Sequence, residues 1–228
     1  MHRAILVVAA HPDDEVLGCG GTIAKLAALG ADVSVLFLSD GVTSRLGGDS
    51  AAHQVQLDAR NAAARRAAEI LGVRNLVYGK FPDNRMDTIA LLEITRSIED
   101  LIAQIKPDTV LTHHAGDLNV DHRRVHEAVV TACRPQSGHP VRTLLNFEVP
   151  SSTEWQLGAS APAFLPNWFE DITTTLERKL AALDAYEAEL RAWPHPRSRK
   201  AVEHLARWRG ATVGAQAAEA FMLGRQLA

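Results

Sequence analysis

The chain has 228 residues, of which 46% are hydrophobic and 22% charged, an ordinary globular composition that excludes a disordered chain. Lys plus Arg number 24 and Asp plus Glu 27, a net charge of −3, so no nucleic-acid-binding or anionic-membrane face is implied. Two cysteines, Cys19 and Cys133, exclude a disulfide scaffold or a Cys-rich zinc site, and both read as small buried hydrophobes.

Ala4–Ala10 (AILVVAA) is a continuous apolar run with β-branched residues, which predicts a strand buried on both faces. Charges follow it at once, so it is too short for a signal segment or a membrane span, and the expectation is a cytoplasmic protein with no membrane insertion. A helix is predicted from about Glu15 to Leu29, closed by Gly30. Asp32–Leu38 is the next strand, and the polar segment Ser39–Ser50 is a loop. Ala51–Leu71 has helical spacing; Asn75–Tyr78 is a short strand; Gly79–Asp87, with Pro82, is a loop. Thr88–Ile105 reads as a helix stopped before Pro107, Asp108–Thr112 as a strand, and His122–Cys133 as a helix ended before Pro135. Thr143–Val149 predicts one more strand, Ser151–Asn167 a loop, and Thr173–Arg191 a helix. Trp193–Ser198 is a break, after which Ser198 can cap a helix from Arg199 to about Arg209. No linker divides the chain, and the tail is expected to cover the same sheet. Alternating strands and helices predict an α/β fold, a mostly parallel sheet covered by helices on both faces, in a single domain over residues 1–228. Ligands of such sheets bind beyond the carboxyl ends of the strands, which singles out the loops after Ala10, Leu38, Tyr78 and Thr112.

Two of those loops are dense in metal-ligating side chains. The first reads His11-Pro12-Asp13-Asp14-Glu15, and the other runs from His113-His114 through Asp117 and Asn119 to Asp121-His122. Packed carboxylates repel one another unless a cation holds them, and a divalent metal is the economical explanation. Imidazole with carboxylate suits zinc, and also iron, nickel or copper. His11 and Asp14 lie three residues apart, so one turn at a helix start aims both inward, while Asp13 between them can face a water. The third ligand must come from the other loop, where His122 enters its helix. Competing readings fail on spacing. Asp117-x-Asn119-x-Asp121 opens like a calcium loop, but its sixth position is His122 and its twelfth is Ala128. His122-x3-His126 lacks the Glu that a zincin needs, having Arg123 instead. Gly18-Cys19-Gly20-Gly21 lacks the third glycine of a dinucleotide site, and its glycines are better suited to close helix–strand packing.

Ala-His-Pro-Asp-Asp-Glu after the first strand, with a distant Asp121-His122 opening a helix, resembles the LmbE/PIG-L family of zinc-dependent de-N-acetylases. The likeness extends to Gly18–Gly21, Arg60, Arg123 and Ala218-Glu219-Ala220-Phe221. It implies a Rossmann-like fold, one catalytic Zn2+ per chain, and removal of acetate from an N-acetylhexosamine-containing small molecule. By position, the metal ligands would be His11, Asp14 and His122, and the general base Asp13. Many members carry His-x-x-His at the second metal loop, with the first His near the developing oxyanion; this chain has Asn119 there. His195, His113 and His114 are candidates to replace it, with His195 ranked first. Asp121 is expected to orient a ligand, and Arg60, Arg45, Asp83, Asn84 and Asn119 to hold sugar hydroxyls or an anionic aglycone. His126 and the four tryptophans read first as packing residues. The expected partner is a small amino-sugar substrate, with no nucleic acid, and the family often forms homo-oligomers. The rival readings are an amide hydrolase for a thiol-conjugate, antibiotic or nucleotide-sugar intermediate, and a sugar-binding module without catalysis.

Overall fold

A computed structural model describes residues 3–42, 44, 50–158 and 160–228. In chain order the elements are β1 (Ala4–Ala9), α1 (Asp14–Ala28), β2 (Asp32–Ser39), α2 (Ser50–Leu71), β3 (Asn75–Phe81), α3 (Leu91–Ile105), β4 (Thr109–His113), α4 (Val120–Ala132), β5 (Thr143–Phe147), β6 (Trp168–Asp171), α5 (Leu176–Asp184), α6 (Arg199–Ala211) and β7 (Ala218–Gln226). They form one seven-stranded sheet in the order β3-β2-β1-β4-β5-β7-β6. The first five strands run parallel, and β7 pairs antiparallel with both β5 and β6.

The period of two along the strands divides the core. Ile5, Val7, Ala9, Val33, Val35 and Phe37 face one side, with α1, α2 and α5. Leu6, Val8, Ala10, Leu36 and Leu38 face the other, with α3 and α4. Both faces are therefore buried, as the unbroken apolar run of β1 requires. None of the helices is long and apolar enough to cross a membrane among the described residues.

The final third departs from expectation. The sequence suggests only a covering tail there, whereas β7 extends the sheet between β5 and β6. Its alternation is masked because Glu219 is buried beside Ala218, Ala220 and Phe221. The helix expected over Thr173–Arg191 is confined to Leu176–Asp184, followed by a short 3-10 turn at Glu187–Glu189. The chain is diverted there by Tyr186, whose buried hydroxyl donates to Glu15 at 2.7 Å.

Glu219 has a specific task. Helix α1 is broken at Cys19, where φ is −148° and ψ 23°. The Glu219 carboxylate accepts from the N–H groups of Gly21 (2.9 Å) and Thr22 (2.7 Å), capping the second half of the helix. Lys179 donates to the Leu17 carbonyl at 2.9 Å and to Glu219 at 2.5 Å, serving the first half. The glycines between are spatial necessities. A Cβ on Gly18 would overlap the Phe147 ring, and one on Gly21 would overlap Ile172. Close helix–strand packing, not nucleotide binding, accounts for both positions.

Candidate active site

The strand order reverses direction at β1: β2 and β3 lie on one side, β4 and β5 on the other. The carboxyl ends of β1 and β4 therefore bound a crevice at a topological switch point. The loop carrying His11 and the loop carrying His113–His122 meet there. The Ala10 N–H donates to His113 Nε2 at 2.8 Å, which ties the two together.

His11, Asp14 and His122 converge, with one donor atom of each lying within 4.8 Å of the others, and all three are buried. Asp14 Oδ2 is 3.3 Å from both His11 Nδ1 and His122 Nε2. Each imidazole turns its other nitrogen to a carboxylate. His11 Nε2 lies 2.9 Å from Asp121 Oδ2 and 3.1 Å from Asp83 Oδ1, and His122 Nδ1 lies 3.1 Å from Asp117 Oδ1. Carboxylates at the far nitrogen fix the tautomer and aim of metal-ligating histidines. Asp121 and Asp117 are themselves pinned. Asp121 accepts from the N–H of Asn84 (2.7 Å) and of Met86 (3.0 Å). Asp117 accepts from Ser152, from Thr153 (2.7 Å) and from the Asn119 N–H (2.9 Å). Asp117, for which the sequence reading named no orienting role, stands against His122 as Asp121 stands against His11, and Ser152 and Thr153 hold it there.

The donor set fits a divalent ion of the zinc type. Two imidazoles and a carboxylate make the His2-carboxylate set of catalytic zinc. Among the described residues, His122 Nε2 and Asp14 Oδ1 are buried without a hydrogen-bond partner, the condition expected of atoms reserved for a ligand. His11, Asp83 and Asp121 also offer three grouped donor atoms. Both of those carboxylates are already engaged, however: Asp121 as described, and Asp83 Oδ2 by the Ser44 hydroxyl at 2.6 Å and its N–H at 3.1 Å. The first set is the better metal site.

Electrostatics follow the same arrangement. Burial opposes charge on His122, but Asp14 and Asp117 overcome it and push its pKa up to about 9. His11 is likewise raised against its burial by Asp121, Asp14 and Asp83. Asp14 is buried, yet His122, His11 and His113 hold it well below the usual carboxylate range. His113 is pushed down by burial and by the neighbouring His122, whose ring stacks on it at 3.9 Å. It remains neutral and packs as a wall.

Asp13 stands in the left-handed region, at φ 114° and ψ −29°. A residue other than glycine adopts that conformation only where its surroundings impose it. Burial raises its pKa, and Arg197 and Arg60 work against the rise. Arg60 Nη2 lies 3.4 Å from Asp13 Oδ1 and donates to the Pro12 carbonyl at 2.5 Å, while the same guanidinium pairs with Glu189. Burial lifts the adjacent Glu15 to about 8 despite its bond to Tyr186. A cavity of about 520 Å3, lined by Val42, Ala59, Arg60, Ala63, Tyr186 and Glu189 among others, opens beside Arg60.

Not every candidate faces the cluster. Asn119 Oδ1 caps α4 by accepting from the Asp121 N–H at 2.8 Å, and its Nδ2 donates to Asn84 Oδ1 at 3.2 Å. Asn84, at φ 52°, is exposed at the mouth. His114 is engaged with the Pro162 carbonyl at 2.9 Å and packs on Phe164. His126 bonds the His113 carbonyl at 2.9 Å, the packing role expected of it. His195 is half-buried; its Nδ1 accepts from the Arg197 N–H at 3.0 Å, and Trp155 meets its ring edge to face at 5.5 Å. From that segment it is Arg197 that touches the cluster, which the sequence reading did not select. Trp155, Trp193 and Trp208 lie at the surface, outside the core. Arg45 lies outside the described residues.

Comparison with known proteins gives the family. The family model PIG-L, described as GlcNAc-PI de-N-acetylase, matches residues 6–133. The chain belongs to the PIG-L family. It is similar to the uncharacterized deacetylase YaiS of Escherichia coli, at 30% identity over 82% of this chain and 91% of that one. It is also 30% identical to the diacetylchitobiose deacetylase of Thermococcus kodakarensis, over 82% of this chain and 70% of that one. Among solved structures, a conserved protein of Thermus thermophilus superposes with a TM-score of 0.77 at 25% identity, over 98% of this chain and 96% of that one. PIG-L membership accounts for the Ala10–Glu15 segment and the loop that delivers His122, both of which lie inside the matched span.

Proposed function

We propose that this protein is a zinc-dependent amidohydrolase that removes the acetyl group from an N-acetylhexosamine in a small molecule or conjugate, releasing acetate. The observation that carries the reading is the buried His11–Asp14–His122 cluster with Asp13 beside it, at the switch point of a PIG-L chain. His11, His122 and Asp14 would hold one ion. When bound, that ion lowers the pKa of water to around 7 and polarises the amide oxygen.

The protein's own residues do the rest. Asp13, held in the left-handed region beside the cluster, accepts the proton of the attacking water and returns it to the leaving nitrogen. His195 is spent on its own turn, its Nδ1 accepting from the Arg197 N–H, and is given no part in the proton transfers. Asp117 and Asp121 hold the two imidazoles. Asn84, the exposed member of the group Arg60, Asp83, Asn84 and Asn119, is assigned to a sugar hydroxyl, while Arg60, Asp83 and Asn119 are engaged within the protein and shape the approach. The cavity beside Arg60 is within the size range of drug-sized ligands and accommodates the remainder of the conjugate.

Acetate release by zinc-loaded protein tests the reading, using N-acetylglucosamine, N,N′-diacetylchitobiose and an N-acetylglucosaminide with an anionic aglycone. Turnover of at least one is expected, with the preferred aglycone defining the substrate class. Asn119, spent as a helix cap, favours the rival reading of a sugar-binding module. Saturable binding of these sugars to the zinc-loaded protein without acetate would establish that rival.

A further inference from the structure

The proposed chemistry uses Asp13 but not the way it is held. Asp13 is only 2% exposed, and its two carboxylate oxygens have different cationic partners. Oδ1 faces Arg60 Nη2 at 3.4 Å, and Oδ2 faces Arg197 Nη1 at 3.1 Å. Arg60 is anchored independently of Asp13, by the Pro12 carbonyl and Glu189. Arg197 comes from the other end of the chain, on a turn built to deliver it. The Arg197 N–H donates to His195 Nδ1 at 3.0 Å, and the Ser198 N–H to the His195 carbonyl at 2.9 Å. Ser198 Oγ then caps α6 by accepting from the Ala201 N–H at 3.1 Å. Pro194 and Pro196 restrict the backbone on either side of His195.

We propose that Arg197 is a positioning residue for Asp13, fixing with Arg60 the plane of the carboxylate that receives the water's proton. The proposal rests on the reading of Asp13 as proton acceptor. With one oxygen held, the carboxylate can turn about its Cβ–Cγ bond; with both held, it cannot. The guanidinium is a rigid, planar donor that suits this task, whereas an ammonium at the same place supplies charge without a fixed fork. The same turn explains His195: its Nδ1 orders the segment that carries Arg197. The C-terminal third, outside the matched family span of residues 6–133, thereby completes a site whose ligands lie within it.

The test compares wild type, Arg197→Ala, Arg197→Lys, Asp13→Asn and Arg197→Ala/Asp13→Asn, all zinc-loaded. Acetate release from N,N′-diacetylchitobiose is expected to show kcat reduced about 10- to 100-fold in Arg197→Ala, since small misplacements of a reacting group cost that much. KM and bound zinc should stay near wild type, and Arg197→Lys should recover part of the rate. An unchanged kcat, or a loss confined to KM, would overturn the proposal. If wild type releases no acetate from this probe, the deacetylase reading fails for that sugar, and melting temperatures decide the proposal instead. Arg197→Ala should then lower the melting temperature more in wild type than in the Asp13→Asn background, because the two residues are coupled. Equal losses in both backgrounds would overturn it.

Discussion

His122 turns Nε2 to Asp14 and Nδ1 to Asp117, so under the proposed function its aim as a ligand would depend on Asp117. Asp117→Asn should therefore weaken zinc binding about 10- to 100-fold, as loss of an orienting carboxylate does, with the fold intact. Competition with a chelator measures this; an unchanged affinity would leave Asp117 a purely structural group. The cysteines give a second check. Both are free and buried, and burial pushes Cys133 up to about 12, with Arg225 opposing, and Cys19 well above its ordinary value. The reactive form is the thiolate, whose fraction becomes negligible when the pKa lies far above the pH, and burial also bars the reagent. At pH 8 a thiol reagent should therefore label neither cysteine in the native protein and both after denaturation.

Helix α1 is held across its break by a buried ion pair, Lys179–Glu219, in which both side chains are about 3% exposed. Lys179→Met leaves the Glu219 charge buried and uncompensated, which should cost about 3–5 kcal/mol in urea unfolding. A loss below about 1 kcal/mol, the value of an ordinary surface pair, would show that the pair is not needed. Gly18→Ala should also destabilise, by about 1–3 kcal/mol, because the new methyl overlaps Phe147 and the core has no slack. Thermal melting reads that change, and Phe147→Leu in the same chain should relieve part of it. Elements of this kind differ in how plainly the sequence announces them. Strand β1 is evident because burial on both faces writes an unbroken apolar run. Strand β7 is hidden because Glu219 interrupts its pattern to cap a helix almost two hundred residues earlier in the chain, at Gly21 and Thr22.

The molecule as a whole places its chemistry by topology. The reversal at β1 opens one crevice, and the loops after β1 and β4 fill it with His11, Asp13, Asp14 and His122. That convergence was legible, because strand-to-helix rhythm fixes which loops share an edge and the ligand-dense segments fall on them. The support was not. Asp117 depends on Ser152 and Thr153, and Arg197 reaches Asp13 across 184 residues of chain. Such contacts leave no local spacing to read. The position of Asn119 was legible as a departure, but its use as the α4 cap appears only in three dimensions.

Acetate release by Asp13→Asn protein loaded with zinc, measured alongside its bound metal, bears most directly on the assignment of ion site and base. One zinc per chain should remain, with the rate down about 10²- to 10⁴-fold, the usual contribution of a general base. A variant that keeps its zinc and hydrolyses the amide as fast as wild type would contradict it.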